Sequence, residues 1–281
     1  MRLLRSARLM VAIAGVLVTM AAPTAAWAQV PKVIRDFGAP VYPALEGWYQ
    51  NDDGTATVLI GFYNSNQTET VEIPIGEQNH FAPGPEDRGQ PTVFPPGRSW
   101  GVFTVKVPGD FDGEMSWTLV ANNQPVTIPF GLRAAYFIEP FKDQSNNNEP
   151  PTIRFSAGGT PFTGPPVGFA HTMTATVGTP VALPVWISDV TPDTNVRDNP
   201  RRPRPPQVLR WQKLRGAGVV EFDEPVQEFE DSDDHNPTTN ITFGAAGEYW
   251  LRAEGLDSTG DGGSGFQCCW TSAIVQVTVS E

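Results

Sequence analysis

The chain has 281 residues with 28 Pro and 27 Gly, so these two types make up about a fifth of it, against a usual share of roughly 12%. Proline removes a backbone donor and breaks helices, so a mainly helical protein is excluded, while a hydrophobic content of 40% excludes a disordered chain without a core. A net charge of −12 excludes a general nucleic-acid binder, because phosphate binding is driven by basic charge.

Residues 1–28 read as a secretory signal peptide. Arg2, Arg5 and Arg8 form a basic start, Met10 to Met20 is an uncharged apolar run, and Ala26-Trp27-Ala28 supplies a small-x-small cleavage pattern. The apolar run is shorter than the ~20 residues that span a bilayer, and nothing later resembles a membrane span. Cleavage would remove three arginines and no acid, taking the charge from −12 to −15. The expected location is therefore secreted or periplasmic.

The remaining length suggests two domains. Residues 29–141 read as an N-terminal β-sandwich. Thr55 to Tyr63 sets Ala56, Val58, Ile60 and Phe62 on one face; Glu69 to Ile75 and Met115 to Ala121 alternate in the same way. Ser99 to Val107 is apolar on both faces at its middle, as a central strand would be. Asn51-Asp52-Asp53-Gly54 and Asn122-Asn123-Gln124-Pro125 are turn sequences between such runs. Residues 76–97 form a long loop with no clear strand before Thr92.

Residues 142–168 are dense in Asn, Pro and Gly and read as a linker, with a strand beginning near Thr152. Residues 169–281 form a second sandwich. Val181 to Ile187 puts Val181, Leu183, Val185 and Ile187 on one face. Gly247 to Leu256 alternates Tyr249, Leu251 and Ala253 against Trp250, Arg252 and Glu254, and Ala273 to Val279 alternates again. The fold class is all-β: two immunoglobulin-like antiparallel sandwiches after a signal peptide.

The segment Ala246-Gly247-Glu248-Tyr249 to Ser258, followed by Ser272 to Val279, resembles the last two strands of PKD-like immunoglobulin-fold domains. Thr179-Pro180-Val181 to Asp189 resembles an early strand of that family. Its Trp-x-Phe-Gly-Asp-Gly turn is absent, with Leu209-Arg210-Trp211 the nearest counterpart. The resemblance covers roughly 170–281 and implies an extracellular adhesion or spacer module. The first half is similar to sequences of uncharacterised secreted bacterial proteins, which brings no activity with it.

Candidate chemistry is sparse. Cys268 and Cys269 are adjacent and have no other cysteine to pair with. Adjacent trans Cα atoms lie about 3.8 Å apart, closer than an ordinary disulfide allows. A vicinal disulfide, free or intermolecular thiols, and a metal site are the three readings. The vicinal disulfide is the working hypothesis in an oxidising compartment. Asp257 and Asp261 lie in a glycine-rich loop that could take calcium, with Asp189 joining if the fold brings it near; other cofactors are not expected. Arg201, Arg202 and Arg204 lie in a Pro-rich basic stretch suited to an anion or a polysaccharide. Trp48 beside Tyr49, and Trp250 opposite Tyr249, are candidates for exposed ligand contacts, since an indole face suits a sugar ring. His80 with Glu86, Asp87 and Arg88 is the only hint of acid–base chemistry, and no nucleophile motif accompanies it. Asn66-Gln67-Thr68 and Asn240-Ile241-Thr242 fit the glycosylation pattern.

The expected function is a non-catalytic secreted binding or structural protein, acting in adhesion, in envelope or surface assembly, or through protein contacts. Its partner would be another exported protein or a surface glycan, with no nucleic acid. The alternatives are a carbohydrate-binding accessory module and a hydrolase with its site in the 76–97 loop.

Overall fold

Strands that are apolar on one face need a second sheet to cover that face, and this chain meets the need twice. The computed structural model describes residues 35–139, 148–189, 206–230, 234–257 and 268–281. The expected signal peptide, 1–28, lies outside the described residues. Among the described residues no helix is long and apolar enough to cross a membrane.

The first half contributes β1 (Val41–Gln50), β2 (Thr55–Asn64), β3 (Val71–Glu72), β4 (Asn79–Ala82), β5 (Val93–Phe94), β6 (Gly97–Pro108), β7 (Met115–Ala121) and β8 (Gln124–Phe130). The antiparallel sheet β1-β2-β6 packs on the antiparallel sheet β4-β7-β8, and β3 pairs with β5. Ala56, Val58, Ile60 and Phe62 of β2 meet Phe81 of β4 and Met115, Trp117 and Leu119 of β7 in one core. Trp117 is fully buried, stacked on Phe81 and met edge-on by Phe103. A 3-10 turn, Ala134–Tyr136, follows the last strand.

The Asn122-Asn123 turn is a two-residue hairpin between β7 and β8. Both asparagines have positive φ, which the favoured hairpin turns require and which Asn tolerates. The 76–97 segment departs from expectation, because it holds β4 before Thr92. Asn79 is the reason: its buried amide donates to Ile73 O and Pro91 O, and its oxygen accepts the Trp117 indole N–H at 2.9 Å. A polar side chain thus closes the loop onto the core with its bonds satisfied. β6 also departs from expectation. The hydrogen-bonded order puts β2 in the centre and β6 at the edge of its sheet.

The second half contributes β9 (Thr152–Arg154), β10 (His171–Thr176), β11 (Val181–Pro184), β12 (Trp186–Ser188), β13 (Gln207–Arg215), β14 (Val220–Phe222), β15 (Val226–Phe229), β16 (Thr238–Phe243), β17 (Gly247–Leu256) and β18 (Trp270–Ser280). The sheet β10-β18-β17-β13-β15 faces the sheet β11-β16-β14, with β10 parallel to β18 and the other pairs antiparallel. Leu209, Leu251, Val275 and Val277 meet Leu183, Ile241 and Phe243 between them. Tyr249, near the start of β17, donates its hydroxyl to Ala245 O at 2.7 Å and accepts from Gly218 N at 3.1 Å. This is the tyrosine corner of immunoglobulin-like sandwiches.

The run expected as one strand from Val181 to Ile187 breaks after Pro184, which brings no N–H to a ladder. Leu183, Val185 and Ile187 still share the buried side, while Trp186–Ser188 turns to pair with β9. The described part of 142–168 is fastened along β18. Ser272 N donates to Gly164 O, Gly164 N to Thr271 Oγ1, and Thr271 Oγ1 to Pro151 O. Ile153 within it joins the second core.

The two halves meet face to face inside one compact unit. Tyr49, Leu59 and Trp100, on the outer side of the β1-β2-β6 sheet, pack against Val208, Leu256 and Trp270 of the β13-β17-β18 face. Both β2 and β17 are therefore buried on both faces along most of their length. One glycine permits the approach: a Cβ on Gly101 would fall 1.8 Å from the Trp270 ring. Within the first half, a Cβ on Gly61 would fall 2.0 Å from Glu46 Oε1, so the close seat of that carboxylate needs a glycine.

Candidate functional site

β17 sends its odd residues into the second core, so its even residues, Arg252 and Glu254 among them, face the first half. Arg252 is 1% exposed. Its Nη2 donates to Glu254 Oε1 and to Trp100 O, each at 2.6 Å, and its Nε to Ser272 Oγ at 2.7 Å. Burial pushes its pKa down, while Glu254 and Glu46 favour the charged form. Glu254 also accepts from Arg210 Nη1 at 3.1 Å.

Across the junction, Glu46 of β1 accepts Arg98 Nη2 at 2.8 Å and Gly101 N at 2.7 Å. Burial pushes the Glu46 carboxyl up to about 7, against the pull of Arg98, the Gly101 N–H and Arg252. Arg98 also donates to Phe62 O and Ser99 O and lies 3.9 Å over the Trp100 ring. A bidentate pair, Arg215 with Asp87 at 2.7 and 2.9 Å, ties the halves a second time and holds the Asp87 carboxyl below its usual range.

Beside this network lies a groove of about 710 Å³, within the ~300–1,000 Å³ usual for ligand sites. One wall comes from the first half, with Thr70, Glu72, Pro95, Pro96, Arg98 and Trp100; the other from the second, with Arg210, Gln212, Lys213, Val219, Phe222 and Val226. Lys213 Nζ bonds Glu72 Oε1 at 2.9 Å across it. Val219 is 66% exposed. Trp211 Nε1 and Gln212 Nε2, in residues of the same wall, have no acceptor among the described residues. The groove continues onto a sheet face. Tyr42 stands opposite Tyr63, and Tyr63 opposite Arg98, so the three share the outer face of β1-β2-β6. The two tyrosine rings are 6.3 Å apart and 25° from parallel, with Tyr42 42% exposed.

The residues singled out from the sequence fall elsewhere. Tyr49 is buried in the junction, and Trp48 is half-buried with its N–H on Arg133 O and Phe137 against its ring. Trp250 is half-buried too, with Arg215 4.0 Å over its ring and Phe169 edge-on. Neither indole is an open platform: Trp48 is covered by the 3-10 turn segment of its own half, and Trp250 by Arg215 and Phe169 of its own half. Arg201, Arg202, Arg204 and Asp261 lie outside the described residues. Asp257 is buried and accepts from Asn148 Nδ2, and Asp189 is half-buried. Among the described residues no three His, Cys, Asp or Glu gather as a metal site would need.

Cys268 and Cys269 are joined by a disulfide and are both buried before β18. His80 Nδ1 donates to the Glu77 carbonyl. Asn66 is 1% exposed, its amide holding the Ala39 N–H and carbonyl, so it is no acceptor for a glycan in the folded chain. Glu46, Arg98, Arg252 and Glu254 were not signalled by any motif. The one available sign was charged residues alternating with apolar ones on a strand, which reads equally as a solvent face.

No family model matches the chain, and no curated protein matches it. Among solved structures it is similar to domains 4 and 5 of the S-layer protein SbsC (12% identity, 86% of this chain and 98% of that one, TM-score 0.25). It is also similar to the Yersinia pseudotuberculosis adhesin InvE (12%, 87% and 59%, 0.25) and to the D0-D1 domain of intimin (9%, 86% and 98%, 0.26). Likenesses at this level carry no function across.

Proposed function

We propose that the chain is an exported, non-catalytic binding protein, serving adhesion, surface or envelope assembly, or contact with another exported component. The observation that carries this reading is the groove whose two walls come from different sandwiches. Beside it runs a charge network that crosses the junction, with Arg252 of one half on the Trp100 carbonyl of the other. A site held by fixed pairs on strands is preorganised, which lowers the entropic cost of binding a ligand. The signal-like residues 1–28 support export.

The test is affinity capture from the exported fraction with the tagged full chain, together with the intact mass of the recovered protein. The expected mass begins at Gln29, and the expected result is a retained protein or glycan that Val219→Trp, which narrows the groove, releases. A chain retained in the cytoplasm with 1–28 attached would overturn export, and capture insensitive to Val219→Trp would overturn the groove. A carbohydrate-binding role is favoured among ligands by one specific observation, the Tyr42–Tyr63 pair on the sheet face beside the groove.

A further inference from the structure

The ligand's chemistry can be narrowed from the groove itself, an inference that rests on the binding-protein reading above. Each cation in its walls is held by a carboxylate: Arg98 by Glu46, Arg210 by Glu254, and Lys213 by Glu72. Such pairs still offer donors and acceptors, yet they present matched charge. An anionic polymer would also approach a chain of net charge −12 against repulsion. A wholly apolar segment would strip water from Arg210 and Glu72, both well exposed, with nothing polar in return. A ligand that is neutral and rich in hydroxyls meets neither obstacle.

The second observation is the ladder of Tyr42, Tyr63 and Arg98, which runs across three strands to the groove mouth. Flat rings close to parallel on a sheet face suit the C–H faces of successive sugar rings. We propose that the Tyr42–Tyr63–Arg98 ladder and the groove it enters bind an extended neutral polysaccharide. The rings stack on the tyrosines, and the hydroxyls exchange hydrogen bonds with the paired side chains of the groove.

The test is native affinity electrophoresis of the full exported chain through neutral polymers (a mixed-linkage glucan, a xylan, a galactomannan) and an acidic one, alginate. At least one neutral polymer is expected to retard the protein, with little dependence on salt. Tyr42→Ala, at an exposed position, should weaken that retardation about tenfold with an unchanged melting temperature. Val219→Trp should weaken it independently from the opposite wall. Retardation by alginate alone, by no polymer, or unchanged in both variants would each overturn the inference. The two readings fail separately. Capture of a protein partner through the groove with no glycan retained would overturn the glycan and leave the binding protein. Reducing ends released from a retarding polymer would overturn the non-catalytic reading and leave the glycan site.

Discussion

Replacing Arg252 by Met tests whether the junction's charge network holds the two sandwiches together. The substitution keeps the volume but leaves Glu254, whose side chain is 6% exposed, without its 2.6 Å partner. It also strands Trp100 O and Ser272 Oγ, and it removes a cation that favours ionised Glu46. Removing one member of a buried pair costs about 3–5 kcal/mol when the remaining charge is left uncompensated, and Arg210, 3.1 Å from Glu254, compensates part of it, which puts the loss at the low end. At roughly 2–4 °C per kcal/mol for a chain of this size, a loss of about 3 kcal/mol lowers the melting temperature by roughly 6–12 °C. The double variant Arg252→Met with Glu254→Leu removes both charges, and replacing a whole buried pair by apolar groups is often neutral or better. It should therefore recover most of the loss. The assay is urea unfolding followed by Trp fluorescence for wild type, both single variants and the double. A shift below about 1 kcal/mol for Arg252→Met, or a double variant as damaged as the sum of the singles, would refute the reasoning.

Three further outcomes follow from the same geometry. The Glu46 carboxyl is raised from 4.5 to about 7, so the fold holds its proton more tightly than the unfolded chain does. Its stabilisation is full below pH 4.5 and is lost as pH rises to about 7, a fall of about 3 kcal/mol at roughly 1.4 kcal/mol per pH unit. Glu46→Gln should flatten stability between pH 5 and 8, and an unchanged slope in denaturant titrations would contradict this; carboxyls with lowered pKa, such as Asp87, act at lower pH. Tyr249→Phe removes a hydroxyl that serves Ala245 O and Gly218 N, and should cost about 1–3 kcal/mol in urea unfolding. The full chain should take up no alkylating reagent under non-reducing, denaturing conditions and two equivalents after reduction, as intact mass reads for a Cys268–Cys269 bond.

The all-β class, the turn at Asn122-Asn123 and the inner faces of β2, β7, β17 and β18 were legible because each depends on local alternation and turn chemistry. The failures share one cause. Alternation shows that a strand has two different faces, but it does not show what covers the second. Arg252 and Glu254 alternate with Leu251 and Ala253 as solvent-facing residues would, and only the arrival of β6 over them turns a surface pattern into a buried ion network. The same arrival covers Leu59 and Tyr49, while Arg215 reaches the Trp250 ring from the neighbouring strand of the same sheet, closing another place where an exposed aromatic was expected. β4 was missed for a related reason: a four-residue strand of Asn-His-Phe-Ala has no pattern of its own and exists because Asn79 is bonded inside the core. What escaped the sequence was therefore the contact between the sandwiches, and that contact creates the groove. A groove made by two sandwiches meeting has no motif in either one; Tyr42, Tyr63, Arg98 and Arg210 come from four different strands, and register together with the meeting of the halves places them along one path.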